Sequence, residues 1–239
     1  SFSAGLSYST IRWMDNLSQF IDSTLLSPIA SETAIRKVCE EAWIYKVKAI
    51  CVAPSYVSYV REMMEFCPIQ IETCTVIGFP LGFSTLPTKL KEAEIALKQG
   101  ATELDIVMNL SQFKSMAYLS VKEELKQLIE LAHHSKAIAK VIIETAYLDS
   151  FDLYTACEIC AEANTDFVKT STGFAPTGAD LEIVKKMRAI LPPSIKIKAS
   201  GGIKTYEQAI SFIQAGADRI GTSSAKEILQ NAWRTVSYF

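Results

Sequence analysis

Charged residues recur on alternate positions in four stretches that are otherwise mostly apolar: Glu103 and Asp105, Lys140 and Glu144, Lys169, and Lys196 and Lys198. Between them stand Leu104, Ile106, Val141, Ile143, Val168 and Ile197. Successive side chains of a strand point to opposite faces, so the apolar set covers one layer and the charged set the other. Charges on the inner side of a fold are costly unless paired. A chain that accepts that cost four times is building an amine-rich active site. On adjacent strands about 4.8 Å apart, inward Lys169 and Lys198 would repel by roughly 3 kcal/mol at an effective dielectric of about 20. That disfavours two ammonium groups side by side and leaves one neutral amine, the species that attacks a carbonyl to form a Schiff base. The plainer reading is a pair of salt-bridged lysines. Asp105 is the natural counter-charge, either passing protons through a water or serving only as an ion-pair partner. Lys140 either joins that relay or neutralises Glu144 or Asp105. Cys51 either lines the substrate pocket or is a small buried thiol.

These residues need a scaffold that brings distant stretches together. Strand-like runs cover 20–25, 47–53, 74–79, 103–108, 139–145, 167–171, 195–199 and 219–222. The gaps carry helical stripes such as Ile35, Val38, Cys39 and Ala42, or Val121, Leu125, Leu128, Ile129 and Ala132. Gly100-Ala101 and Gly216-Ala217 supply helix stops just before the next strand. Eight such units predict an α/β fold of the (β/α)8 barrel type, a TIM barrel. The competing doubly wound sheet would show a dinucleotide glycine fingerprint after an early strand, and none is present. A single domain is expected over 1–239, with the barrel over about 20–232 and an extra helix over 8–19 covering the barrel bottom. Period-two parity points Asp105, Lys140, Lys169 and Lys198 inward.

A second signal is independent of the lysines. Ser200-Gly201-Gly202-Ile203 follows the seventh strand and Gly221-Thr222-Ser223-Ser224 the eighth, each leading into a helix. Barrels bind phosphate at these two loops, through backbone N–H groups and a helix N-terminus. Glycine permits close approach, and Ser223 and Ser224 add hydroxyl donors. The plain alternative is two ordinary capped helix starts. Lys204 either supplies a charge here or sits in solvent.

Composition narrows the function classes. A net charge of −2 without a basic run argues against nucleic-acid or membrane-surface binding. No apolar stretch reaches spanning length. The segment 1–8 has no cationic start and no following apolar block, so no signal peptide is expected. Six scattered cysteines read as reduced thiols of a cytoplasmic protein. The pair Cys157 and Cys160 falls on a helix face with Leu153 and Ala156, and reads as core. His133 and His134 are the only histidines and sit at a helix end, which argues against a histidine triad or a multi-histidine metal site. No metal and no cofactor is expected.

The motifs I-D-S-T-L-L, A-I-C-V-A-P-S-Y-V, V-I-G-F-P-L-G, E-L-D-I-V-M-N, K-V-I-I-E-T, D-F-V-K-T-S-T-G-F, I-K-A-S-G-G-I and G-T-S-S stand in one order along the chain. In this the sequence resembles the deoxyribose-phosphate aldolases, the class I aldolases of the DeoC family, from about residue 20 to 224. The resemblance implies reversible cleavage of 2-deoxy-D-ribose 5-phosphate to acetaldehyde and D-glyceraldehyde 3-phosphate, in deoxynucleoside breakdown. It implies that Lys169 forms the Schiff base, that Lys198 favours its neutral form, and that Asp105 works with Lys198 through water. The protonated imine then serves as electron sink, where a class II aldolase uses a zinc ion. The resemblance also places Asp22, Thr24 and Cys51 near the sugar, and Thr170, Gly173, Gly201, Gly202, Ser223 and Ser224 around sugar and phosphate. Barrel aldolases often pair, so a homodimer or homotetramer is the expected assembly. The chain departs from the family pattern at Ser23 and Ser27, where histidine and lysine are usual. It also departs at Phe174, where some members carry lysine, which gives Lys204 more weight. Some members use a terminal tyrosine; here Tyr238 is penultimate.

Overall fold

The computed structural model describes residues 16–236. Eight parallel strands close into one barrel in chain order. They are β1 (Ile21–Leu25), β2 (Ala49–Val52), β3 (Glu72–Ile77), β4 (Glu103–Val107), β5 (Ile138–Ile142), β6 (Phe167–Lys169), β7 (Lys196–Ser200) and β8 (Arg219–Thr222). The β8–β1 pairing, Asp22 opposite Gly221, completes the ring. The expected helix over 8–19 falls largely outside the described residues. Within them, Leu17–Phe20 forms a short 3-10 turn leading into β1. Tyr238 also lies outside them.

Alternation along the strands divides the fold into layers, as period-two geometry requires. Ile50, Leu104, Ile106, Val141, Val168, Ile197 and Ile220 are fully buried in the mantle between barrel and helices. The helix Glu32–Tyr45 shows how the outer ring is built. Ser31 caps its start by accepting from the Ala34 N–H at 3.2 Å, and Lys46 ends it in the left-handed region. Its stripe of Ile35, Cys39 and Ala42 is buried against the sheet. Cys157 and Cys160 are free and buried in helix Ser150–Glu162, as core. His133 and His134 end helix Tyr118–His134. Inside the barrel the lining is split. Ala49, Cys51, Cys74 and Val76 form a small apolar patch on β2 and β3. The remaining strands contribute charge.

Strand lengths differ from the sequence reading in one consequential place. β5 ends at Ile142, not at Thr145, because Glu144 adopts φ 49°, ψ 71° and cannot continue a ladder. Lys196 also departs from expectation. It starts β7 at the N-terminal end of the barrel, is exposed to solvent, and packs over the Phe167 ring at 5.6 Å. No helix among the described residues is long and apolar enough to cross a membrane.

Candidate active site

The register sets the interior side chains at matching heights. Asp105 is opposite Lys140, and Lys169 is opposite Lys198. Asp105 sits between them: its Oδ1 accepts from Lys140 Nζ at 2.9 Å, and its Oδ2 from both Lys169 and Lys198 at 2.8 Å. Lys198 also pairs with Asp22 Oδ2 at 2.6 Å, and Lys140 with Glu103 Oε2 at 2.5 Å. Arg219 closes the network, donating to Asp22 Oδ1 at 2.6 Å and to Glu103 Oε2 at 2.8 Å. All seven side chains are buried.

Burial alone would raise the pKa of Asp105, but Lys140, Lys169 and Lys198 hold it well below the usual carboxylate range. The same contest keeps Asp22 ionised: burial opposes charge, and Lys198 and Arg219 overcome it. Burial likewise acts to lower Lys198, and Asp105 with Asp22 more than reverses this, so Lys198 is held as an ammonium. Lys140 is raised against burial by Asp105 and its neighbours in the same way. The network contains three carboxylates (Asp22, Glu103, Asp105) and four basic groups (Lys140, Lys169, Lys198, Arg219). The basic groups thus outnumber the carboxylates by one.

Access separates the four basic groups. A cavity of about 300 Å³ opens at the carboxyl ends of the strands. Lys169 lines it; Lys140, Lys198 and Arg219 do not. Thr24, Gly173, Gly201, Gly202, Lys204, Gly221 and Ser223 line it as well. Gly202 has φ +80° and no atom within 4 Å of where a Cβ would stand, so its backbone faces open space. Gly221 is needed for packing, since a Cβ there would lie 3.0 Å from Lys198 Cε. The exposed Lys204 is the other lysine at the cavity wall.

Several expected site residues stand elsewhere. Asp22 does not line the cavity; Lys198 and Arg219 engage its buried carboxylate. Lys140 neutralises Asp105 and Glu103, not Glu144. Cys51 belongs to the inner apolar patch, where the Cys74 thiol next to it lowers its pKa. Thr170 is buried and donates to the Ser200 carbonyl at 3.2 Å. Ser224 lies behind the wall, its N–H donating to Thr222 Oγ1 at 2.9 Å. Cys51, Cys74 and Asp105 bring three possible metal-ligand atoms within 4.8 Å. Asp105 already accepts from three lysines, so a cation there would have to displace an ammonium group.

Other members of the site were not assigned from sequence. Arg219 shares inward parity with Gly221, and that signal was available. Ser27, Leu26 and Thr172 line the cavity from loops, where no periodicity marks them. Phe174 also lines it and meets the Phe79 ring edge-on, with centroids 5.3 Å apart.

Residues 19–231 match the family described as DeoC/LacD family aldolase. The chain belongs to that family. This aldolase is 46% identical over 220 residues to the deoxyribose-phosphate aldolase of Caldanaerobacter subterraneus subsp. tengcongensis, covering 92% of this chain and 94% of that one. It is 44% identical over 217 residues to the deoxyribose-phosphate aldolase of Thermococcus gammatolerans, covering 91% and 96%. Among solved structures, the aldolase QR15 superposes with TM-score 0.88 at 43% identity, covering 94% of this chain and 99% of QR15. The deoxyribose phosphate aldolase of Aeropyrum pernix, described as a tetramer, superposes with TM-score 0.85 at 37% identity, covering 93% of each. The aldolase barrel and the family read from the motifs are thus both found.

Proposed function

We propose that this aldolase reversibly cleaves 2-deoxy-D-ribose 5-phosphate to acetaldehyde and D-glyceraldehyde 3-phosphate through a Schiff base on Lys169. One observation carries the reading: of the interior basic network, Lys169 alone lines the cavity, while Lys198 shares its Asp105 oxygen from behind. The neutral Lys169 amine attacks the C1 aldehyde carbon of the open-chain sugar, and loss of water gives a protonated imine. A base takes the C3 hydroxyl proton, the C2–C3 bond breaks, and its electron pair passes into the imine to give an enamine. Protonation at C2 and hydrolysis release acetaldehyde and restore the amine. Asp105 and Lys198, 2.8 Å apart, form the acid–base pair nearest the reacting nitrogen. Gly201, Gly202, Gly221, Ser223 and Lys204 are the groups proposed to hold the phosphate, as backbone donors, a hydroxyl and a cation.

The chain is proposed to act as one barrel domain in the cytoplasm, a reading supported by its six free cysteines. A homodimer or homotetramer is the proposed assembly, checked by sedimentation.

The decisive experiment is borohydride reduction with acetaldehyde, followed by peptide mass mapping. An ethyl group on Lys169 is expected. A folded sample left unmodified would favour a non-covalent phosphate-binding barrel. Labelling together with turnover of aldehyde acceptors other than D-glyceraldehyde 3-phosphate alone would favour another Schiff-base aldolase.

A further inference from the structure

Glu144 is buried, ionisable and unused by the chemistry above. It also adopts a left-handed backbone (φ 49°), uncommon for a residue with a β-carbon. Its carboxylate faces the turn that follows Lys169. Both oxygens accept from the Thr172 N–H, at 3.2 and 3.3 Å, and Oε2 also accepts from the Thr172 hydroxyl. The Thr172 hydroxyl oxygen in turn accepts from the Phe174 N–H at 3.1 Å. Thr172, Gly173 and Phe174 all line the cavity, together with Lys169. The neighbours of Glu144 grip the same segment: Ile143 N–H donates to the Lys169 carbonyl at 3.1 Å, and Thr145 N–H to the Thr170 carbonyl at 2.8 Å. Three consecutive residues therefore clamp the backbone on which the nucleophile sits, and only the middle one does so through its side chain.

We infer that Glu144 is a positioning residue for the reaction at Lys169: its buried carboxylate holds Thr172, and through Thr172 the turn that walls the cavity beside the reacting amine. The inference rests on the Schiff-base reading above. A carboxylate suits the role because it only accepts hydrogen bonds, and Thr172 offers it two donors. Burial raises the Glu144 pKa, while the Thr172 bonds and the charge of Lys169 favour the ionised form. Misplacing a reacting group by about 1 Å can cost about 100-fold in rate.

The test compares Glu144→Ala, Glu144→Gln, Thr172→Ala and the double alanine variant. Steady-state kinetics use 2-deoxyribose 5-phosphate, and the rate of borohydride trapping by acetaldehyde is read at Lys169. Glu144→Ala is expected to lower kcat and the trapping rate about 100-fold, with KM moving far less. Thr172→Ala should lose about 10-fold, and the double variant no more than Glu144→Ala, because the two act as one unit. Glu144→Gln keeps an acceptor for Thr172 and should recover most of the rate. If Glu144→Ala does not fold, slow Thr172→Ala beside near-normal Glu144→Gln supports the assignment. A lowered Tm with unchanged rates per folded molecule overturns it, as do losses that multiply in the double variant. Failure to label the wild type would instead overturn the Schiff-base reading and this inference with it.

Discussion

Lys169 and Lys198 are register partners on β6 and β7, and both donate to Asp105 Oδ2 at 2.8 Å. Their nitrogens are therefore no more than twice that distance apart. One of the two opens to the cavity, and the other is sealed behind it by Asp22. This asymmetry of access separates two lysines that strand parity alone treats alike.

Lys198→Leu removes the cation held by Asp22 and Asp105. Trapping of acetaldehyde on Lys169 at neutral pH is expected to slow by about 100-fold or more, within the range of one acid–base group. The variant should also lose about 3–5 kcal/mol of stability, because two buried carboxylates lose a partner. Unaltered trapping in folded Lys198→Leu would remove Lys198 from the chemistry.

Asp105→Asn takes the charge from the centre of three ion pairs. Turnover should fall by about 100-fold or more. Inhibition by inorganic phosphate should stay within about threefold of wild type, well under the roughly 1.4 kcal/mol of a tenfold change. The glycine loops after β7 and β8 are separate from the carboxylate. Loss of phosphate affinity would make Asp105 architectural.

Lys204 is the one cavity-lining cation, among the described residues, outside the interior network. Lys204→Ala should raise KM for 2-deoxyribose 5-phosphate about tenfold, the worth of one charge-assisted hydrogen bond. Turnover of unphosphorylated 2-deoxyribose should not change. Equal losses on both substrates would contradict a phosphate contact.

The ion network also fixes how stability depends on pH. Asp22 and Asp105 have depressed folded-state pKa values, although burial alone would raise them. Depressed carboxylates stabilise the fold above their unfolded value of about 3.9, and that contribution is lost as pH falls through the folded value. Lys140 and Lys198 are raised against burial. Their contribution is complete below an unfolded value of about 10.4 and lost as pH rises through the raised one. The urea midpoint should thus hold level between about pH 5 and 9 and fall below about pH 4, with Asp22→Asn flattening the acid limb. A steady decline from pH 9 to 5 would contradict this.

Much of this protein was legible in the sequence because strand parity is a local property. Asp105, Lys140, Lys169 and Lys198 point inward, as alternation with Leu104, Ile106, Val141, Val168 and Ile197 required. The glycine loops after β7 and β8 also lie where repeated βα units put them. Parity was equally informative about Arg219, which shares the inward face with Gly221 but stands in none of the motifs that marked the site. Lys196 shows where parity stops: it shares the inward face, yet the open barrel end leaves it in water.

The sequence by itself determined the eight-unit barrel, the inward face of each strand and the aldolase family, because all three are written in short repeats and motifs. Tertiary structure alone decided which basic group meets the cavity, that Asp22 serves Lys198, and that Glu144 holds Thr172. Those relationships join residues 28 to 176 positions apart. They depend on relative strand heights and on a left-handed turn after β5, and no local pattern carries either.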